Sequence, residues 1–441
     1  MSLNARRWIV VSGFVVAVSA VTLSWSAATG YQEASATDYQ QLNKFSQIMD
    51  MVRKSYVDEV SDEKLIEGAL SGMLSSLDPH STYMNKEMFK QMQVETTGEF
   101  GGLGIEIAPA QGGIRIVAPI EDTPADRAGI KAGDLIIKID AELAKDMTLP
   151  EAVDKMRGKP GTSITLTIFR TSEPRPLEVK LSRDVIRVKS VKSDLLAPGF
   201  AYLRITQFQE HTSEQLEKQI KELMQRSGGS LHGAVLDLRN NPGGLLDQAV
   251  EVSDLFLDSG DIVSTKSRIG KNMSFQAEKG DILSGKPLIV LINNGSASAS
   301  EIVSGALQDN HRAALLGTKS FGKGSVQRII PLQDGSAFKL TTSLYYTPSG
   351  RSIQATGIEP DIHVEPVILE AKKADNALPS ISEKDLKGHL ANGNGKQPAK
   401  KGAEKAADDV ASQAMQERLM RDAQLQRAFD LLKGLDVLKQ G

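Results

Sequence analysis

The sequence predicts a chain of mixed class, α/β and β: a helical N-terminal region, a small β-rich module, an α/β core of ββα type and a C-terminal amphipathic helix. Three patterns carry this. Leu42, Phe45, Met49, Val52 and Tyr56 recur at intervals of three and four, the spacing of one helix face. From Gly98 the period falls to two, in short runs such as "GIEIA", "LIIKID" and "SITLTIFR" separated by Gly, Pro and Asp. Between Phe200 and Pro366, strand-like and helix-like stretches alternate, the rhythm of a mostly parallel sheet covered by helices.

In residues 1–36, Arg6 and Arg7 precede an apolar run from Trp8 to Trp25, followed by Ser26, Ala27 and Ala28 and by a second small-residue site at Ala34-Ser35-Ala36. This is the pattern of a signal peptide. It also fits an uncleaved membrane anchor, because about 18 apolar residues just span a bilayer. Either reading expects export to the periplasm. Residues 38–96 read as helical, with Ser61 capping a second helix that stops before Asp78-Pro79, since the residue before proline avoids helical geometry. Residues 97–183 hold short strands and one helical patch, "TLPEAVDKMRG", enough for a compact module.

In residues 184–367, "GFAYLRI", "GAVLDLRN" and "PLIVLINN" read as strands, while "LLDQAVEVSDLFL" and "SASEIVSGALQDN" read as helices. Residues 368–408 include "NGNGKQPAKKGAEKAADD", too polar to bury a core and therefore a flexible linker. Residues 409–441 place Leu425, Ala428, Leu432 and Leu435 on one face of a short helix. The helices at the two ends are expected assembly surfaces, making the chain a homo-oligomer.

Composition removes several function classes. The 52 basic and 55 acidic residues leave a net charge of −3, and aromatics are only 5%, so neither a basic field nor base-stacking surface points to nucleic acid. With no cysteine, disulfides, thiolate nucleophiles and lipoprotein acylation are excluded. The six histidines have no metal-ligand spacing, so neither metal nor other cofactor is expected.

"GTKSFGKGS", residues 317–325, nearly spells a phosphate-binding loop, with Gly317, Gly322 and Lys323 in register. The hydroxyl that would ligate Mg²⁺ is replaced by Gly324, and the following "SVQRIIPL" is β-branched where a helix is needed. Lys323 therefore serves either in a surface turn or in other chemistry. Upstream, "GSASASEI" opens a helix after a buried strand, where small residues and free N–H groups allow close approach to developing negative charge. A serine there needs a base, and a buried lysine can supply one once it loses its charge.

These residues resemble a known family. "DLRNNPGG" at 237–244, "SASASEI" at 296–302, "GKGSVQ" at 322–327 and "LDPHSTYM" at 77–84 are similar, in order, to the carboxy-terminal processing (tail-specific) serine peptidases. The resemblance runs from about residue 40 to 366. It implies a PDZ-like domain at 97–183, a serine peptidase core at 184–367 and a Ser-Lys dyad with the lysine 25 residues after the serine. By that motif Ser298 is the nucleophile, Lys323 the general base, and Gln327 the residue that orients the lysine amine. It implies an oxyanion hole from the N–H of Ala299 and that of Gly243 or Gly244, with Gly244 preferred.

"GGLGIEI" at 101–107 resembles the carboxylate-binding loop of a PDZ domain. Leu103, Gly104 and Ile105 would receive a peptide's terminal carboxylate, and the peptide would add as a strand beside Ile105. Arg157, beside that groove, would report peptide binding. The resemblance further implies protein substrates with apolar C-termini, cell-envelope targets such as cell-wall hydrolases, and a lipoprotein adaptor with helical repeats. The competing reading is a catalytically silent PDZ scaffold of the envelope.

Overall fold

The computed structural model describes residues 36–120, 122–367 and 408–440. The expected signal segment and most of the expected linker lie outside the described residues. The chain divides at Met73 into two units. In the first, helix Ala36–Ser55 and the start of helix Asp62–Ser75 are linked by Arg53, which pairs with Asp50 and Asp62. Ser61 Oγ accepts from Lys64 N–H as a cap. Leu42, Phe45 and Tyr56 are exposed, as are Tyr39 and Ile48.

The second unit is built on a six-stranded sheet ordered Val191–Ala197, Phe200–Ile205, Gly233–Asp237, Leu288–Ile292, Ala314–Gly317, Ile362–His363. The first pair is an antiparallel hairpin and every later pairing is parallel. Gly233–Asp237 and Leu288–Ile292 are buried at every residue, because both sheet faces are covered. Alternation divides them. Ala234, Leu236, Leu288, Val290 and Ile292 pack with side chains from helices Thr212–Arg226, Leu246–Asp254 and Ala299–Asp309. Val235, Ile289, Leu291 and Leu316 face the other way, toward Met415, Leu419, Leu425, Ala428, Phe429 and Leu432.

The chain's end therefore differs from expectation in two respects. It forms two helices, Asp408–Arg421 and Ala423–Gln440, where one was expected. The apolar face of the second is spent on the sheet of its own chain at Leu425, Ala428 and Leu432, while Leu435, Val437 and Leu438 stay exposed.

A second, antiparallel sheet orders Thr82–Met84, Ala337–Tyr346, Asp261–Ser267, Met273–Gln276, with Ser325–Pro331 also paired to Ala337–Tyr346. Its first strand lies inside the stretch expected to be helical. Pro79 ends the preceding helical run, and "TYM" finds a partner at Lys339, Phe338 and Ala337. The β-rich module has the sheet Ile105–Ala110, Gly113–Pro119, Leu135–Ile139, Ser163–Phe169, Leu177–Ser182, all antiparallel. Helix Leu149–Met156 is closed by a capping box between Thr148 and Glu151 and buries Ala152 and Met156 in that module's core. Ile105–Ala110 is an edge strand.

Leu432 is fully buried against the sheet. Leu432→Ala is expected to cost about 2–5 kcal/mol of unfolding free energy, read by denaturant titration, whereas a loss below about 1 kcal/mol would contradict this docking.

Candidate active site

Strand Leu288–Ile292 delivers the chain into a turn that opens helix Ala299–Asp309. Three serines stand in that turn and the structure separates them. Ser296 Oγ donates to Leu238 O at 2.8 Å and accepts from Asn293 N–H; Ser300 Oγ donates to Asn241 O at 2.9 Å. Both are fully buried and committed to holding the turn. Ser298 is 8% exposed, and its hydroxyl, which faces the Glu301 N–H in a capping box, donates no hydrogen bond among the described residues. Its backbone sits at φ 53°, ψ −112°, a conformation that costs a non-glycine residue about 1–3 kcal/mol and is kept where it serves a site.

Glu301, one turn into the helix, is fully buried. Its Oε2 accepts from the backbone N–H of Ser298 at 2.8 Å and of Lys323 at 2.9 Å. Its Oε1 accepts from Gly322 N–H at 2.7 Å and from Ser320 Oγ at 2.6 Å. One carboxylate thus joins the serine turn to the lysine loop, and the free N–H groups at the helix start favour a negative charge there. Nothing in the sequence pattern singles it out, because an acidic residue in a first helical turn is commonplace.

The lysine loop connects Ala314–Gly317 to Ser325–Pro331. Gly322 takes φ 96°, and a Cβ at Gly324 would lie 2.4 Å from Gln354 N. Both glycines flanking Lys323 are thus demanded by backbone geometry. Burial, then the charge of Lys339, pushes the Lys323 amine below the usual lysine range, with Glu301 and Asp78 pulling the other way. Its Nζ has no hydrogen bond or ion pair among the described residues, and none joins it to Ser298 Oγ.

Gln327 differs from expectation. Its Nε2 donates to Ser325 Oγ at 2.9 Å and Thr341 Oγ1 at 3.3 Å, and no hydrogen bond links it to Lys323. A bulge at Val326/Gln327 turns this residue toward the neighbouring strand.

The same strand exposes the role of "LDPHSTYM". Asp78 accepts from the N–H groups of His80 and Ser81, from Ser81 Oγ, and from Thr341 Oγ1 at 3.0 Å. Burial works against its ionisation, but these donors hold its carboxyl below the usual range. Burial first, then the Lys323 charge, lowers the pKa of His80. The motif therefore places an anion and a neutral-leaning imidazole close to the lysine.

Gly243 and Gly244 follow strand Gly233–Asp237. A Cβ on Gly243 would meet Ala297 O at 2.7 Å, Ser298 Cβ at 2.8 Å and Ala299 N at 2.9 Å, so only glycine, at φ 103°, lets this loop lie against the serine. The N–H of Gly243 is already given to Asn241 Oδ1 at 2.9 Å. Those of Gly244 and Ala299 have no partner among the described residues.

In the β-rich module, a cleft of about 140 Å³ is lined by Leu103, Gly104 and Ile105 together with Phe100, Met156 and Arg157. The N–H groups of Leu103 and Gly104 have no partner among the described residues. Arg157 lies over the Phe100 ring at 4.9 Å and donates to Gln91 Oε1 at 3.0 Å.

Residues 199–364 match peptidase family S41, residues 115–170 a PDZ domain, and residues 13–88 the N-terminal domain of the activating protease CtpB. The chain is 49% identical over 426 residues to the carboxy-terminal-processing protease of Bartonella bacilliformis, covering 96% of this chain and 95% of that protein. It is 36% identical over 362 residues to the carboxy-terminal processing protease CtpA of Bacillus subtilis, covering 80% and 76%. The photosystem II D1 C-terminal processing protease is a similar solved structure, with 29% identity and a TM-score of 0.43 over 74% of this chain and 93% of that one. Fold and site together define a serine-type peptidase that carries a PDZ domain. The chain belongs to peptidase family S41 and, within it, to the carboxy-terminal-processing proteases.

Glu301→Ala would leave the Ser320 hydroxyl proton and three backbone N–H groups without their acceptor in the interior. At about 1–3 kcal/mol per unpaired group, the expected loss of stability is about 3 kcal/mol or more, and a loss below about 1 kcal/mol in denaturant titration would contradict the shared tie.

Proposed function

We propose that this chain is an exported, periplasmic endopeptidase that recognises free protein C-termini and cleaves by a Ser298–Lys323 dyad. The observation that carries the reading is the contrast among the three serines: Ser296 and Ser300 donate their hydroxyl protons to backbone carbonyls while Ser298 donates to nothing among the described residues, on a strained turn that Glu301 ties to the loop of a part-buried lysine.

Neutral Lys323 accepts the Ser298 proton while Oγ attacks the scissile carbonyl carbon. The oxyanion is held by the N–H groups of Ala299 and Gly244; the engaged N–H of Gly243 favours its neighbour for this role. The lysinium returns the proton to the amine as the C–N bond breaks, and water opens the acyl ester by the same route. Because Oγ and Nζ share no hydrogen bond in this structure, the dyad closes in the substrate-bound state. Gln327 supports the strand that follows Lys323 without touching its amine.

The free edge of Ile105–Ala110 accepts the substrate tail as an added strand, its carboxylate meeting the N–H groups of Leu103, Gly104 and Ile105. Arg157 transmits that event. From Gln91 the path runs along helix Lys86–Thr97 to Thr96 O, which accepts from Glu210 N–H, and on to Phe208, whose N–H donates to Gly243 O at the oxyanion loop. Export rests on the charged and apolar pattern of residues 1–36; among the described residues no helix is long and apolar enough to cross a membrane. The envelope substrates would include cell-wall hydrolases, delivered with a helical-repeat lipoprotein adaptor to a homo-oligomer. The exposed stripe Tyr39, Leu42, Phe45 and Ile48 supports such self-association.

Ser298→Ala and Lys323→Ala are each expected to lower cleavage of an unstructured, apolar-tailed protein at least about a thousandfold. A variant that cuts at the wild-type rate would remove that residue from the mechanism. The amine pKa is depressed, so the neutral base accumulates below the ordinary lysine value of about 10.4, and kcat/KM is expected to climb with pH to a plateau. Lys339→Gln removes a cation that pushes this pKa down, and therefore shifts the rising limb to higher pH. A flat profile from acid to alkaline pH, or a shift in the opposite direction, contradicts the lysine base. Amidating the substrate's C-terminus is expected to raise KM with kcat little changed at saturation. Equal KM values for free and amidated tails would exclude carboxylate recognition.

A further inference from the structure

Behind the catalytic sheet, Asp237 is fully buried at the end of its strand. It accepts from Tyr202 Oη at 2.8 Å, from Arg204 Nη1 at 3.2 Å, and from Arg239 through Nε at 2.9 Å and Nη2 at 2.8 Å. Arg418 stands 3.7 Å away. One anion therefore faces three guanidinium groups. Burial opposes its charge, but these donors hold its carboxyl below the usual range.

A second carboxylate comes from the far end of the chain. Asp422 takes both Nη atoms of Arg239, Oδ1 from Nη1 at 2.9 Å and Oδ2 from Nη2 at 2.6 Å. Gln424 Oε1 accepts from Nη1 at 2.9 Å and its Nε2 donates to Val364 O. Asp422 also accepts from Leu425 N–H at 3.0 Å, capping helix Ala423–Gln440. A bidentate pair of this kind sets geometry as well as contributing energy.

Arg239 is the root of the oxyanion loop. Two residues on, Asn241 O accepts from Ala297 N–H at 3.0 Å and from Ser300 Oγ at 2.9 Å, while Asn241 Oδ1 accepts from Gly243 N–H. A guanidinium gripped from both sides therefore fixes the backbone from which Gly243 and Gly244 reach the serine.

We propose that Asp422 is a positioning residue for the peptidase reaction: the C-terminal helical pair grips Arg239 from behind the sheet and thereby sets the oxyanion loop. This rests on the reading that Gly244 supplies an oxyanion donor. With Asp422 neutral, three guanidinium groups face a single carboxylate, Arg239 loses one of its two anionic partners, and the loop shifts.

The test compares full-length wild type, Asp422→Asn and Leu432→Ala on one apolar-tailed protein substrate, with the folded fraction measured by circular dichroism. Asparagine keeps the shape and the capping oxygen but replaces the charge and one of the two acceptors that face Arg239. Because misplacement of about 1 Å at a reacting centre costs up to about a hundredfold, Asp422→Asn is expected to lower kcat about ten- to hundredfold with KM for the tail unchanged, and Asp422→Glu to recover part of it. Leu432→Ala weakens the docking surface without touching the pair, and is expected to lower stability while its folded fraction keeps kcat. A folded Asp422→Asn enzyme with wild-type kcat overturns the proposal, as does a loss that merely tracks unfolding in both variants. If Asp422→Asn does not fold, Gln424→Leu removes a neutral contact to the same guanidinium, and unchanged kcat there overturns the proposal equally. Activity retained in Ser298→Ala would instead sink the dyad itself, whatever Asp422 does.

Discussion

The carboxylate of Glu301 accepts four hydrogen bonds from two loops, one carrying Ser298 and the other Lys323. A buried carboxylate without such partners would be untenable, and the hub adds to the backbone bond from Phe321 N–H to Ser296 O that also joins the two loops. The cost of burying the charge is offset by backbone N–H groups that the turn and the loop would otherwise leave unpaired. The strained backbone at Ser298 is maintained by the same contacts. Ser298 and Lys323 are therefore held in one assembly even though Oγ and Nζ share no hydrogen bond in this structure.

Around this hub, three remote parts of the chain converge. Asp78, from the segment before the PDZ domain, reaches Thr341 and lies close enough to influence the lysine's charge. Helix Lys86–Thr97 touches Arg157 at its middle, through Gln91, and the segment that pairs with the Gly243 loop at its end, through Thr96. The C-terminal helices cover the back of the sheet and hold Arg239. The catalytic sheet thus supplies the framework, while its alignment depends on residues distant in sequence.

Much of the fold was legible. The continuous apolar runs at 233–237 and 288–292 announced strands covered on both faces, and the break from a phosphate-binding loop at Gly324 turned attention from nucleotide to lysine chemistry. Family resemblance selected Ser298 from three equivalent-looking serines, and the other two are those whose hydroxyls donate to backbone carbonyls. What stayed hidden depends on long-range partners. Thr82 pairs with Lys339 across more than half the chain, so no local pattern marks that strand. The C-terminal amphipathic face declared that it would be buried, but not that its own chain's sheet would bury it. Glu301, Asp78 and Asp422 are each ordinary acidic residues until their donors are known, and the bonds of Gln327 to Ser325 and Thr341 lie beside a bulge that cannot be read from spacing.

The account turns on a lysine that is uncharged when it meets the serine. NMR titration of the Lys323 side chain in protein labelled at lysine nitrogen, using Lys323→Arg to assign the signal, measures this directly. The account predicts a midpoint well below the ordinary lysine range that coincides with the rising limb of the activity profile. A midpoint at or above that range, with the enzyme fully active while the amine is still charged, would contradict it.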